Sequence, residues 1–204
     1  RSAVGHWLSN PALVEAAYGH ISTWETGGVT DMSYLFCGDH NMAYLSSTDC
    51  KNSNADFNDD IGAWDTSGVT TMAYMFRDAW AFDRPIGSWD VRKVRSMNNM
   101  FSCGFSDRQP FNQDISGWSI EAVTSMKEMF KGALAFDQDL GWCVDEAILS
   151  SSTFEETKCE STRCGVVQKD EFGTCDPGIR AGYIILIVLL ILLAGFSACV
   201  CWRK

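Results

Sequence analysis

The stretch IGAWDTSGVTTMAYMFRDAWAF, residues 61 to 82, decides how the rest of the chain is read. Its apolar skeleton is Ile61, Trp64, Val69, Met72, Met75, Phe76 and Phe82. The skeleton returns as Ile86, Trp89, Val94, Met97, Met100, Phe101 and Phe111, and again as Ile115, Trp118, Val123, Met126, Met129, Phe130 and Phe136. A weaker upstream copy is Ile21, Trp24, Val29, Met32, Leu35, Phe36 and Phe57. Repetition of this kind marks stacked units, none of which can bury its apolar face alone. Measured Ile to Ile, the steps are 40, 25, 29 and 25 residues, the last ending on Leu140. Twenty-five residues is therefore the unit, with a long insert between the first two copies and a short one between the third and fourth.

Within the unit, Met72, Met75 and Phe76 stand at i, i+3 and i+4 behind Thr70 and Thr71, which predicts a single helical turn or short 3-10 segment facing inward. The Ile-x-x-Trp-Asp half is expected to be a short parallel strand, bent so that Ile and Trp three apart both point in. Stacking then buries a column of Trp, a column of Ile and a column of Met and Phe, each large side chain contributing on the order of 2 kcal/mol. The Trp and Met stripe reads as core rather than as a cofactor or binding groove. The expected architecture is a repeat solenoid of about five units over residues 20–144, with short parallel strands and short helical turns.

Its ends need covers. Residues 1–19 hold Val4, Trp7 and Leu8 at helical spacing, then Asn10 and Pro11 as a cap and first helical residue, so two short helices are expected as a lid. The last unit begins as Leu140-Gly141-Trp142, one residue short, and runs into residues 145–180, where the skeleton fades. Four cysteines between 143 and 175 are expected to staple a small C-terminal cap there.

Residues 181–202 contain no Asp, Glu, Lys or Arg, and at about 1.5 Å per residue would reach roughly 33 Å as a helix. A single transmembrane helix is expected, with Arg203 and Lys204 as a cytoplasmic stub and the repeats extracellular or luminal, a type I arrangement. Arg1 is not an initiator Met and no signal peptide precedes the repeats, which suggests a processed or truncated chain. Setting Arg203 and Lys204 aside leaves 14 basic against 26 acidic residues, a charge of −12, which argues against nucleic acid and against docking on anionic lipid.

Of nine cysteines, Cys199 and Cys201 sit at the end of the apolar run and are lipidation candidates, small-residue packing being the alternative. The others, Cys37, Cys50, Cys103, Cys143, Cys159, Cys164 and Cys175, face an oxidising compartment. Cys37 with Cys50 would close the long insert, near residues 37–56, and Cys143–Cys159 and Cys164–Cys175 are the expected cap pairs, among three connectivities. Cys103 is left over, either buried in the stack or available for an intermolecular disulfide. Cys37, His40 and Cys50 make a poor zinc set, and no metal or cofactor is expected.

No catalytic motif is present, and the histidines His6, His20 and His40 are dispersed, so an enzyme is not expected. Recurring acids, Asp59, Asp60, Asp114 and Asp139 before the turn and Glu25, Asp65 and Asp90 after Trp, imitate a glycosidase pair or a calcium ladder. They are better read as capping turn amides. Between Ile and Trp the side chains are small, Ser22 and Thr23, Gly62 and Ala63, Gly87 and Ser88, Ser116 and Gly117. If that face points outward it is flat and accessible, with Asp65, Asp90, Ser88 and Ser116 as ligand-face candidates. No N-x-S/T sequon occurs.

The run FNQDISGW at 111–118, followed by VTSMKEMF at 123–130, resembles the BspA-like surface proteins, a branch of the leucine-rich-repeat group also found in mycoplasma surface lipoproteins. The resemblance covers residues 20 to 144 and implies a leucine-rich-repeat-like solenoid on a cell surface, associated with adhesion or binding. The expected function is a membrane-anchored module binding an extracellular protein or glycan. The alternatives are the ectodomain of a signalling receptor and a structural coat protein. The cysteine-bearing insert, the cysteine-rich cap and the apolar run depart from simpler members.

Overall fold

The computed structural model describes residues 2–38, 50, 56–104 and 109–175. Helix α1, Ser2–Ser9, and helix α2, Pro11–Tyr18, form the N-terminal end. Asn10 Oδ1 accepts from the Leu13 amide at 3.2 Å and Pro11 opens α2, where a missing N–H costs nothing. Val4, Trp7 and Val14 face the core, and the Trp7 indole donates to Asp59 Oδ2 at 2.7 Å, which fastens the helices to the second unit.

The expected solenoid of short strands and helical turns is not what the repeats form. Among the described residues the sheet comprises two strands, β1 at Cys143–Val144 and β2 at Val167–Gln168, paired in parallel near the C-terminal end. The Ile-x-x-Trp half is a tight turn: Trp64, Trp89 and Trp118 donate their amides to Ile61, Ile86 and Ile115, three residues back, at 3.0–3.1 Å. The Met-Met-Phe half is neither helix nor strand, because its amides alternate in direction. Met72, Tyr74, Phe76 and Asp78 donate to Ser96, Asn98, Met100 and Ser102 of the next unit at 2.9–3.0 Å. Met75, Arg77 and Ala79 instead donate back to Met72, Tyr74 and Phe76 at 3.1–3.3 Å.

A helix needs every amide along its own axis, and a strand needs an extended chain that does not turn back. Splitting the amides between the two uses leaves successive turns, tied by the single parallel bridges Asp31 to Thr71, Thr71 to Ser96 and Ser96 to Ser125. The backbone shows the cost. Tyr34, Tyr74, Asn99 and Glu128, at one position of four units, have φ of 61°, 61°, 54° and 55°. Left-handed backbone is disfavoured for side-chain-bearing residues, so its return at one position means that the inter-unit bonding imposes it.

What survives from the sequence reading is the burial pattern, except in the first copy, where Val29 is exposed and Trp24 half-buried. Phe36, Phe76, Phe101, Phe130 and Phe154 stack face to face with centroids 5.5, 5.6, 5.5 and 5.7 Å apart. Beside them run Phe57, Phe82, Phe111 and Phe136 at 5.9, 6.1 and 6.1 Å. Rings of one unit meet at 3.9–4.2 Å, joining both columns into one core. Close approach of neighbouring units also explains two glycines: a Cβ on Gly62 would meet the Pro85 carbonyl oxygen at 2.7 Å, and one on Gly87 the Asp114 carbonyl oxygen at 2.5 Å.

The cysteines bond as Cys37–Cys50, Cys143–Cys175 and Cys159–Cys164. The expected cap pairs, Cys143 with Cys159 and Cys164 with Cys175, are thus exchanged. The chain turns tightly through Arg163 and Cys164, both with positive φ, and the Cys164 amide donates to the Cys159 carbonyl at 3.0 Å, so these near neighbours close on each other. The β1–β2 pairing then carries Cys175 back beside Cys143. Cys103 is 5 % exposed, set in the stack with its amide on the Lys131 carbonyl at 2.8 Å.

Among the described residues no helix is long and apolar enough to cross a membrane, α1 and α2 having eight residues each. Single-pass anchoring with a cytoplasmic C-terminus therefore has no support in the structure. Residues 181–202, with Cys199, Cys201, Arg203 and Lys204, lie outside the described residues, as does His40.

Candidate functional site

The Ile-x-x-Trp turns place the short side chains on the outside. Thr23, Ala63, Ser88, Ser116 and Gly117 are exposed, flanked by exposed Asp65 and Asp114 and half-buried Asp90. Each acid is held by its own turn. Asp65 Oδ1 accepts from the Ser67 amide at 2.9 Å, Asp90 Oδ1 from the Arg92 amide at 3.1 Å, and Asp114 Oδ1 from the Ser116 amide at 2.9 Å. Asp60 does the same for Gly62 at 2.9 Å. An Asp side chain accepting from the amide two residues on stabilises such a turn.

These bonds favour the charged carboxylate. Hydrogen bonds from Ser67 hold Asp65 below the usual carboxylate range, and those from Ser116 do so for Asp114. Asp90 is lowered to about 2, first by its hydrogen bonds with the Arg92 side chain and backbone. The Arg92 guanidinium grips both Asp90 oxygens, at 2.9 and 2.7 Å. Asp65 and Asp114 thus keep the face anionic through the ordinary pH range, while the Asp90 charge is paired with Arg92.

Two supports behind this face were not foreseen. The indole N–H of Trp64, Trp89 and Trp118 donates to the Ile21, Ile61 and Ile86 carbonyls of the preceding unit at 2.9, 3.1 and 3.1 Å. Trp142 breaks the series: its indole nitrogen is buried and has no hydrogen-bond partner among the described residues. The shortened Leu140-Gly141-Trp142 moves that ring out of step with the carbonyl its predecessors use. A second ladder follows the last Phe of each unit. Asn58 Oδ1 accepts from the Asp83 amide, Asp83 Oδ1 from Asn112 and Asn112 Oδ1 from Asp137, at 3.1, 3.0 and 2.8 Å. Its signal was present in the recurrence of Asn or Asp directly after Phe57, Phe82, Phe111 and Phe136.

Among the described residues no three or more His, Cys, Asp or Glu gather as a metal site. Cys37 and Cys50 are bonded to each other, which removes the thiolates of the zinc set.

The features define a class: a stack of turn-built repeats capped by helices at one end and by disulfides at the other. The family model described as "Mycoplasma protein of unknown function, DUF285" matches residues 12–103 and 47–164, which together span more than half of the chain. The chain belongs to this family. No curated protein and no solved structure matches it.

Proposed function

We propose that the protein is a binding module whose stacked turns present a low, anionic face to an extracellular protein or glycan. The observation that carries this is the outward row of Thr23, Ala63, Ser88, Ser116 and Gly117, rimmed by Asp65, Asp90 and Asp114. Short side chains over a rigid backbone leave little conformational entropy to lose on contact. The fixed carboxylates supply charge without rearrangement. Three disulfides suit an oxidising compartment. The resemblance of the repeats to BspA-like surface proteins points the same way, while the family's description adds no activity.

The test is capture of partners from cell-surface extracts and on a glycan panel by the immobilised protein. The double variant Ser88→Arg/Ser116→Arg raises two bulky cations on the face and keeps the Ser116-position amide that caps Asp114. Loss of the captured partner by tenfold or more is expected, and retention at wild-type strength overturns the reading.

A further inference from the structure

We propose that the cleft between the N-terminal helices and the start of the second unit is a site for one cationic side chain, a lysine or arginine presented by a peptide or protein. The cleft has a volume of about 240 Å³. Trp7, Leu8 and Pro11 form one wall, and Asp56, Asn58 and Asp59 the other. It is smaller than the roughly 300–1,000 Å³ of pockets that hold drug-sized ligands, so a single side chain fits where a nucleotide does not.

Its chemistry is two-sided. Leu8 and Pro11 offer apolar surface for an aliphatic stem, and Asp56 and Asp59 offer carboxylates for the head that such a stem carries. The Trp7 indole takes Asp59 Oδ2 at 2.7 Å, which sets the carboxylate's orientation. Among the described residues Asp59 Oδ1 and both Asp56 oxygens accept no hydrogen bond. Among the described residues no basic side chain lines the cleft. Arg84 is bonded to the Asn58 carbonyl at 2.6 Å and is not part of the lining. The walls are already rigid: Trp7 packs edge-on against His20 and Trp24 at 5.0 and 5.9 Å, and α2 is capped by Asn10. A net charge of −10 draws cations toward the molecule.

The test follows the indole N–H resonances of the full chain by ¹⁵N NMR, with Trp7 assigned through Trp7→Phe. The probes are blocked tripeptides Gly-X-Gly with X as Lys, Arg, norleucine or Glu. Lys and Arg peptides are expected to shift the Trp7 signal along a saturating curve, leaving the other indoles in place, while norleucine and Glu peptides do not. In Asp56→Asn/Asp59→Asn, which keeps an acceptor for Trp7, the Lys-peptide affinity falls at least fivefold. Unmoved signals of the indoles other than Trp7 report that the variant is folded. Absence of a shift with Lys and Arg, an equal shift with norleucine, or unchanged affinity in the double variant overturns the proposal.

Discussion

Residues that look alike in this sequence do unequal work, and Trp89 and Trp142 show it. Both indoles are buried, but only Trp89 has an acceptor, Ile61 O at 3.1 Å. Trp89→Phe and Trp142→Phe remove similar ring area, yet the first also takes one of two hydrogen bonds from the Ile61 carbonyl, which keeps the Trp64 amide at 3.1 Å. The first is expected to cost about 0.5–1.5 kcal/mol more, read by chemical denaturation. Asp90 yields a pH prediction. Its folded pKa of about 2 lies below the ordinary aspartate value of about 3.9, so its contribution is complete above that value and is lost as pH falls toward 2. Asp65 and Asp114, also lowered, act in the same direction. Melting temperature should hold between about pH 7 and 5 and fall below about pH 4, less steeply in Asp90→Asn, which keeps the acceptor for the Arg92 amide but carries no charge. The burial of the repeated Ile, Trp, Met and Phe was legible in their spacing. The carbonyl each indole reaches was not, because it belongs to a residue 28 to 43 positions away.

At the scale of elements, apolar spacing misled. Met72, Met75 and Phe76 suit a helical turn, and nothing in their identity announces that every second amide is claimed by the next unit. Periodicity reports which side chains go inward, while the backbone state follows from where the amides find carbonyls. Asn10 and Pro11 are the opposite case: the bond that starts α2 lies within four residues, and the sequence announces it. The disulfides fall between. Four cysteines between 143 and 175 signalled a stapled end, but the pairing depended on the β1–β2 contact, which two-residue strands do not advertise. Non-reducing peptide mapping should recover Cys143 with Cys175 and Cys159 with Cys164. Loop-closure entropy makes the first, with a separation of 32, worth about 4 kcal/mol, and the second, with a separation of 5, about 2 kcal/mol. Replacing each pair by serine and measuring the denaturation midpoint checks that order.

Across the whole molecule, the paired Phe columns make each unit depend on its neighbours. Phe101 stacks on Phe76, Phe130 and Phe111, whereas Phe154 has a described ring contact with Phe130. Phe101→Ala should cost about 3–5 kcal/mol, as large cavities in closed cores do. Phe154→Ala should cost less, because the end of the column can relax. Equal losses in urea titration would mean that the column does not set the stability gradient.

The sameness of the units carries a kinetic hazard. Because each unit offers its successor the same rings and carbonyls, a folding chain can align one whole unit out of step and still satisfy most local contacts. Two irregularities guard against that. The insert closed by Cys37 and Cys50 marks the beginning of the series, and the shortened Leu140-Gly141-Trp142 marks its end. A displaced alignment would put an irregular unit where a regular one belongs and forfeit bonds there. The buried indole of Trp142, which has no acceptor among the described residues, shows where the uniform pattern stops.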